Sequence, residues 1–282
     1  MNYTSAAAGT SFKNYIWRNV GDLDNQGVEV ALTWRAIQKD DLNVEVSING
    51  AYNKNEVTGL VADTDDYYIP TGGISAGTGI NCQAHAVGHP INSFFVYQQV
   101  YDEAGKPIEG VYVDRNADGK INESDKYFYK SPAAPFTGGF SLKVNYKNWD
   151  FGTSFRGSFG NYVYYDQLAG ASNCDANEVY NSFGALSNRP KEAAELGWHS
   201  YDNVLSDFFV RNASFIKCDN ITVGYSFDSL CGTKINGRVF GTVSNVFTIT
   251  KYDGLDPEVP NGIDNNIYPR PFSGLVGVSL NF

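Results

Sequence analysis

Several stretches of the chain keep apolar and polar residues in strict alternation, the mark of a strand whose two faces meet different surroundings. Val28, Val30, Leu32 and Trp34 alternate with Glu29, Ala31, Thr33 and Arg35. Leu42, Val44, Val46 and Ile48 alternate with Asn43, Glu45, Ser47 and Asn49, so the two runs read as an antiparallel hairpin across residues 36–41. A second hairpin sets Phe140, Leu142, Val144 and Tyr146 against Ser141, Lys143 and Asn145. It turns at Lys147-Asn148 and returns through Trp149, Phe151 and Phe155, with Asp150, Ser154 and Arg156 on the other face. A third pairs Ile221, Val223, Tyr225 and Phe227 with the Arg238 to Val246 run across a turn around Gly232 and Asn236, and Phe272 to Phe282 makes the last strand.

Seven strands are therefore predicted, at 27–35, 42–52, 137–146, 149–160, 213–227, 236–247 and 271–282. Residues 36–41, 147–148 and 228–235 are short connections, whereas 53–136, 161–212 and 248–270 are long enough to hold small hairpins of their own. In an up-and-down sheet these two kinds of connection fall at opposite ends, as in bacterial outer-membrane barrels with short periplasmic turns and long extracellular loops. The predicted fold class is all-β: an antiparallel transmembrane β-barrel segment, seven strands of a larger barrel, with long extracellular loops. A soluble β-sandwich would show the same alternation. Two features favour the barrel. Trp34 and Trp149 stand near strand ends on the apolar faces, as an aromatic girdle requires, and the opposite faces stay polar throughout, with Glu29, Arg35, Glu45, Lys143 and Arg156. On this reading Leu142, Val144, Phe151 and Phe155 meet lipid, while Lys143, Asn145, Asp150 and Arg156 line the lumen.

Composition agrees without deciding the matter. With 42% hydrophobic and 18% charged among 282 residues, the chain is globular or barrel-forming rather than disordered. Its net charge of −10 argues against a surface that neutralises nucleic-acid phosphates. No apolar run approaches the roughly 20 residues of a membrane-spanning helix. A barrel strand shows only alternate side chains to lipid, which suits the mean hydropathy of −0.31, and 15% aromatic residues suit strands and interfacial girdles. Met1-Asn2-Tyr3-Thr4 opens without a charged and then apolar leader, so the expectation is a cytosolic protein or one whose beginning lies upstream.

One stretch carries a specific metal-ligand spacing. From Asp114 to Asp125, oxygen donors stand at positions 1, 3, 5, 9 and 12, from Asp114, Asn116, Asp118, Asn122 and Asp125, with Gly119 at 6 and the Lys120 carbonyl at 7. That is the spacing of an EF-hand-type Ca²⁺ loop, with Asp in place of the usual bidentate Glu. An Asx-rich turn that caps its own amides is the alternative. His85 and His89 are four residues apart, but Gly88 and Pro90 break any helix that would align them, so they read as loop histidines. Cys82, Cys174, Cys218 and Cys231 form no CxxC, and their pairing stays open. No nucleophile–base–acid order or phosphate-cradling loop can be assembled, and a glycosidase pair of Asp202 and Asp207 is one coincidence among 31 carboxylates, so no enzyme is expected. Tyr67, Tyr68, Tyr164, Tyr165, Trp198 and Tyr201 fall in the long loops, where they either stack on sugar or a lid protein or pack among themselves.

The end of the chain, Arg-Pro-Phe-Ser-Gly-Leu-Val-Gly-Val-Ser-Leu-Asn-Phe, closes on aromatic Phe282 with Leu280, Val278 and Val276 in register, and resembles the signal read by the outer-membrane barrel-assembly machinery. Ile249 to Glu258, then Gly262-Ile263-Asp264-Asn265 and Tyr268-Pro269, resemble the C-terminal signature of SusC/RagA-like TonB-dependent transporters. Asn25-Gln26-Gly27-Val28-Glu29, Asp114 to Asp125 with Ser131 to Gly139, and Ile221-Thr222-Val223-Gly224-Tyr225 match the same family in the same order. The resemblance implies that residues 1–282 are the C-terminal portion of a barrel of about 22 strands, with plug and N-terminal domains absent from this sequence. It further implies import of a bulky nutrient, a glycan oligomer or peptide, across the bacterial outer membrane. The implied partners are a SusD-like surface lipoprotein, a TonB complex acting through the plug, and outer-membrane lipid. A secreted, calcium-stabilised β-sandwich that binds carbohydrate is the other reading.

Overall fold

A computed structural model describes residues 2–5, 15–19, 21–61, 67–180, 184–200, 204–228, 235–265 and 268–281. Seven long strands dominate: β1 Gly21–Gln38, β2 Leu42–Leu60, β3 Phe136–Tyr146, β4 Trp149–Phe159, β5 Phe215–Phe227, β6 Asn236–Thr250 and β7 Ser273–Asn281. They lie side by side in chain order in one sheet, with each neighbouring pair from β2 to β7 antiparallel. All seven predicted strands are present. Two differ in extent, because β1 and β2 run on well past the alternating core of each. Gly27 allows the close approach this needs, since a Cβ there would stand 2.6 Å from the Tyr52 carbonyl oxygen. The first turn is also tighter than residues 36–41: Ala36 to Gln38 remain in β1, and Lys39 and Leu42 exchange backbone bonds of 2.9 and 3.3 Å around Asp40-Asp41.

By its contacts the chain divides into two compact units, residues 27–53, 133–163 and 211–282, and residues 1–26, 54–132 and 164–210. In the first, cross-strand register puts the apolar side chains on one face. Val44 pairs with Val144 and Val144 with Phe151; Ile48 pairs with Phe140 and Phe140 with Phe155. A slip of one residue would send every ring to the polar side. β5 and β6 absorb an irregularity at Asp219 and Asn245, where Asn245 takes φ 53, and alternation resumes beyond it. The apolar face is uncovered: Trp34 is 62% exposed, Trp149 54% and Val276 80%. A sandwich would bury this face against a second sheet, so the soluble alternative fails here.

Rings mark two levels of that face. Trp149 packs on Tyr225 at 4.9 Å, with Tyr146 paired to Trp149; toward the other strand ends, Tyr52 packs on Phe136 at 4.9 Å. Tyr146 and Phe136 are ten residue steps apart, about 33 Å along a strand, and a tilt of about 40° reduces this to about 25 Å, the height of an outer-membrane apolar band.

The second unit is built the ordinary way round. Its four-stranded sheet runs in the order Tyr127–Phe128, Ser93–Val96, Asn81–Ala86, Tyr68–Gly73, and short helices span Asp166–Ala171, Ala176–Val179 and Lys191–Leu196. Phe94, Val96, Leu168, Tyr164, Trp198 and Phe209 form a closed core, and the Asp166 carboxylate accepts the Ser75 amide at 3.0 Å. Small hairpins were legible in these segments, but the helices were not, because none is longer than six residues.

Candidate functional site: the polar sheet face and its loops

The face opposite the apolar rings carries the polar alternates. Glu45 lies 3.7 Å from both Arg35 on β1 and Lys143 on β3. Arg238 donates to Asp150 at 2.8 Å and stacks over Phe240 at 4.7 Å. Thr33 meets Ser47 at 3.1 Å, Asn220 donates to Ser154 at 2.6 Å, and Thr222 meets Thr242 at 2.9 Å. The ion pairs are partly solvated and each contributes about 1 kcal/mol or less. Stability does not account for them; a wettable wall does. Lys143, Asp150 and Arg156 all stand on this face, and Leu142, Val144, Phe151 and Phe155 on the other, as the alternation required.

Within the first unit, the segment after β6 is fastened to β4 and β5 through charge. Lys217 of β5, only 6% exposed, donates to Asp256 at 2.7 Å and Glu258 at 3.0 Å. Arg156 bonds Asp219 at 2.9 Å and also Glu258, and Arg270 reaches Glu258 at 2.6 Å. Three cations thus meet three carboxylates, so no charge is left buried alone. Burial pushes the Glu258 carboxyl upward, but its bonds to Lys217 and Arg156 win and hold it below its ordinary value. Nearby, the buried Tyr252 hydroxyl donates to Asp264 at 2.6 Å, and burial raises the Asp264 pKa. These are the signature residues read in the sequence, and their physical role is to pin a loop. Its partners Lys217 and Arg156, distant in sequence, gave no local signal.

In the 114–125 loop the five predicted side-chain ligands each accept backbone amides of the loop, and Lys120 donates one of those amides. Asp114 accepts from Gly119 at 2.8 Å, Asn116 from Asp118 at 2.9 Å, Asp118 from Lys120 at 2.8 Å and Asn122 from Ser124 at 2.9 Å. The buried Asp125 accepts from Arg115 at 2.9 Å and Asn122 at 2.8 Å. Gly119 sits at φ 80, the sharp turn that the sixth position needs. Among the described residues, no three His, Cys, Asp or Glu side chains converge on one metal position.

The loop aromatics divide. Tyr164, Tyr165 and Trp198 are core, with Trp198 packed edge-on to Phe209 at 5.9 Å. Tyr67 and Tyr68 instead line a cavity of about 680 Å³ with His89, Phe95 and Phe128. His85 lies on a strand rather than a loop, accepting the Asn92 amide at 3.1 Å, while His89 stacks on Phe128 at 4.1 Å. Burial lowers both histidine pKa values. Asp207 has a structural task, accepting from Tyr127 at 2.7 Å and from the Gln99 amide at 3.0 Å. Cys82, Cys174 and Cys218 are free thiols. Tyr201, Asp202, Cys231, Gly232 and Phe282 lie outside the described residues.

An up-and-down sheet with an apolar outside, two ring levels and a polar inner wall is a segment of an outer-membrane β-barrel. No family model matches the chain. Its whole length aligns at 46% identity with the TonB-dependent receptor SusC of Bacteroides thetaiotaomicron, covering 29% of that protein. It is 27% identical to the TonB-dependent receptor P3 of Formosa agariphila over 88% of the chain, covering 26% of that relative. The fold matches the RagAB peptide transporter with a TM-score of 0.71 at 24% identity, over 96% of this chain and 30% of the other. Sequence and fold together make the chain part of a SusC/RagA-like TonB-dependent receptor of the bacterial outer membrane. It spans less than a third of the length of the relatives it matches.

Proposed function

We propose that the protein imports a bulky nutrient, a glycan oligomer or a peptide, with this chain as the C-terminal portion of the barrel wall. The observation that carries the reading is the inverted sheet: rings and aliphatic side chains outside, Arg35–Glu45–Lys143 and Asp150–Arg238 inside. Such a wall separates lipid from a hydrated passage. A plug encoded elsewhere in the protein answers to a TonB complex, and a SusD-like surface lipoprotein covers the mouth. Likeness to a receptor named SusC and to a peptide transporter supports this and leaves both nutrient classes in play. Uptake of labelled oligosaccharides and peptides by cells with and without the intact gene tests it. Loss of uptake of one class, restored by the gene and dependent on TonB, is the expected result; unchanged uptake of both contradicts it.

Calcium in the 114–125 loop belongs to the same proposal. Each amide bond occupies only part of an oxygen's acceptor capacity, so Asp114, Asn116, Asp118, Asn122, Asp125 and the Lys120 carbonyl keep lone pairs for a hard cation. Protease cleavage within the loop should slow with Ca²⁺ in the intact transporter and lose that dependence in Asp118→Ala. Equal cleavage with calcium and chelator leaves the hydrogen-bonded turn alone.

A further inference from the structure

We propose that a strip of four rings in the 54–132 segment, Tyr68–Phe95–Phe128–His89, is a binding site for an uncharged oligosaccharide. The inference deepens the import reading by choosing between its two nutrient classes. The rings are in unbroken contact, with centroids 4.7 Å apart from Tyr68 to Phe95, 4.8 Å from Phe95 to Phe128 and 4.1 Å from Phe128 to His89. Strand alternation produces the strip. Phe94 and Val96 are fully buried, so Phe95 between them must point out of the other face, where it pairs with Phe128 across the strands. All four rings are half-buried and line the cavity of about 680 Å³, a size suited to a ligand of several rings.

Charge selects among occupants. Among the described residues, three charged ones line the cavity, and each is engaged internally. Lys126 donates to both oxygens of Glu123 at 2.8 and 2.9 Å, and Arg115 bonds Gln98 at 2.9 Å while stacking over Tyr127 at 4.5 Å. Burial holds the His89 pKa below its ordinary value against the pull of Glu56, which favours the neutral ring. A peptide's charged ends or side chains would have to compete with the Lys126–Glu123 pair and with the contacts that hold Arg115. A sugar needs only apolar ring faces for its C–H side and polar atoms at the rim for its hydroxyls, and the exposed Tyr67 and Ser124 stand at that rim.

The test is calorimetric titration of the purified full-length receptor with neutral linear hexasaccharides of glucose, xylose and mannose, and with hexapeptides. At least one sugar series should bind. Phe95→Ala should weaken it about five- to tenfold and Phe95→Tyr should restore it. Ser124→Trp, on an exposed rim residue away from the core, should block the cavity and abolish binding with an unchanged thermal midpoint. Sugar binding that is indifferent to both Phe95→Ala and Ser124→Trp overturns the site, as does binding of hexapeptides alone. Cell uptake measured in parallel separates the two claims: uptake that persists while no sugar binds refutes the strip alone, and sugar binding at the strip without uptake refutes import alone.

Discussion

The two units of this chain solve the burial problem in opposite senses. In the unit of residues 1–26, 54–132 and 164–210, Trp198 is 3% exposed and Phe94, Tyr164 and Phe209 are wholly enclosed. In the unit containing most of the sheet, Trp149 is 54% exposed and Val276 80%, while Lys217 and Asp256 are buried. Water as the only solvent explains the first arrangement. The second is intelligible only if the sheet's outer solvent is hydrocarbon, since a soluble protein rarely leaves so continuous an apolar face bare. The lesson is that burial of one residue type carries no fixed meaning until the surrounding medium is known.

Truncating one tryptophan in each unit breaks the comparison most strongly. Trp198→Ala should cost about 3–5 kcal/mol through loss of a packed core ring, read as a lower unfolding midpoint of its own unit. Trp149→Ala should leave that midpoint alone. Next in size is depth dependence on the sheet. Leu142 lies midway between the ring levels at Phe136 and Tyr146, so Leu142→Arg should cost about 2–4 kcal/mol of folding into bilayers. Val144→Arg, two residues from Tyr146, should cost less, and Lys143→Glu on the polar face should be mild. Equal costs for all three would mean that the two faces do not meet different media.

The ion cluster gives a smaller effect. Lys217→Met removes the nearer partner of Asp256 and leaves Arg270 at 3.6 Å, so it should destabilise by about 2–3 kcal/mol and free segment 251–272 to proteases. The smallest effect is on pH. The Asn122 amide, with that of Arg115, holds the Asp125 carboxyl below its ordinary 3.8. A lowered folded-state pKa stabilises at pH above the unfolded value and is lost as pH falls through the folded one. The 114–125 loop should therefore keep its protection near neutrality and down through pH 3.8, losing it only in stronger acid; loss already at pH 6 would contradict this.

What the sequence made legible follows the same division. Period-two alternation located all seven sheet strands, and the Lys147-Asn148 turn fell where expected, with Lys147 at φ 52. The ends of β1 and β2 were missed because glycine, asparagine and charged residues there interrupt the alternation while backbone pairing continues. The second unit was legible only as room for small hairpins: its short helices carry too few turns for a 3.6-residue period, and its core is assembled from residues far apart, such as Phe94, Trp198 and Phe209. Whether Tyr164, Tyr165 and Trp198 met a ligand or packed together stayed open for want of any local sign of the partners that bury them. The loop signature around Asp256 and Glu258 was visible, but its pairing with Lys217 and Arg156 was not.

The central claim, that the sheet's two faces meet lipid and water, is tested most directly by single-cysteine accessibility in native outer membranes, in a background with the native cysteines replaced. Probes at 142, 144, 151 and 155 should resist a water-soluble maleimide and respond to a lipid-phase quencher, while probes at 143, 145, 150 and 156 should do the reverse. Water-accessible probes at 142 and 144 with buried ones at 143 and 145 would contradict the register and the barrel wall with it.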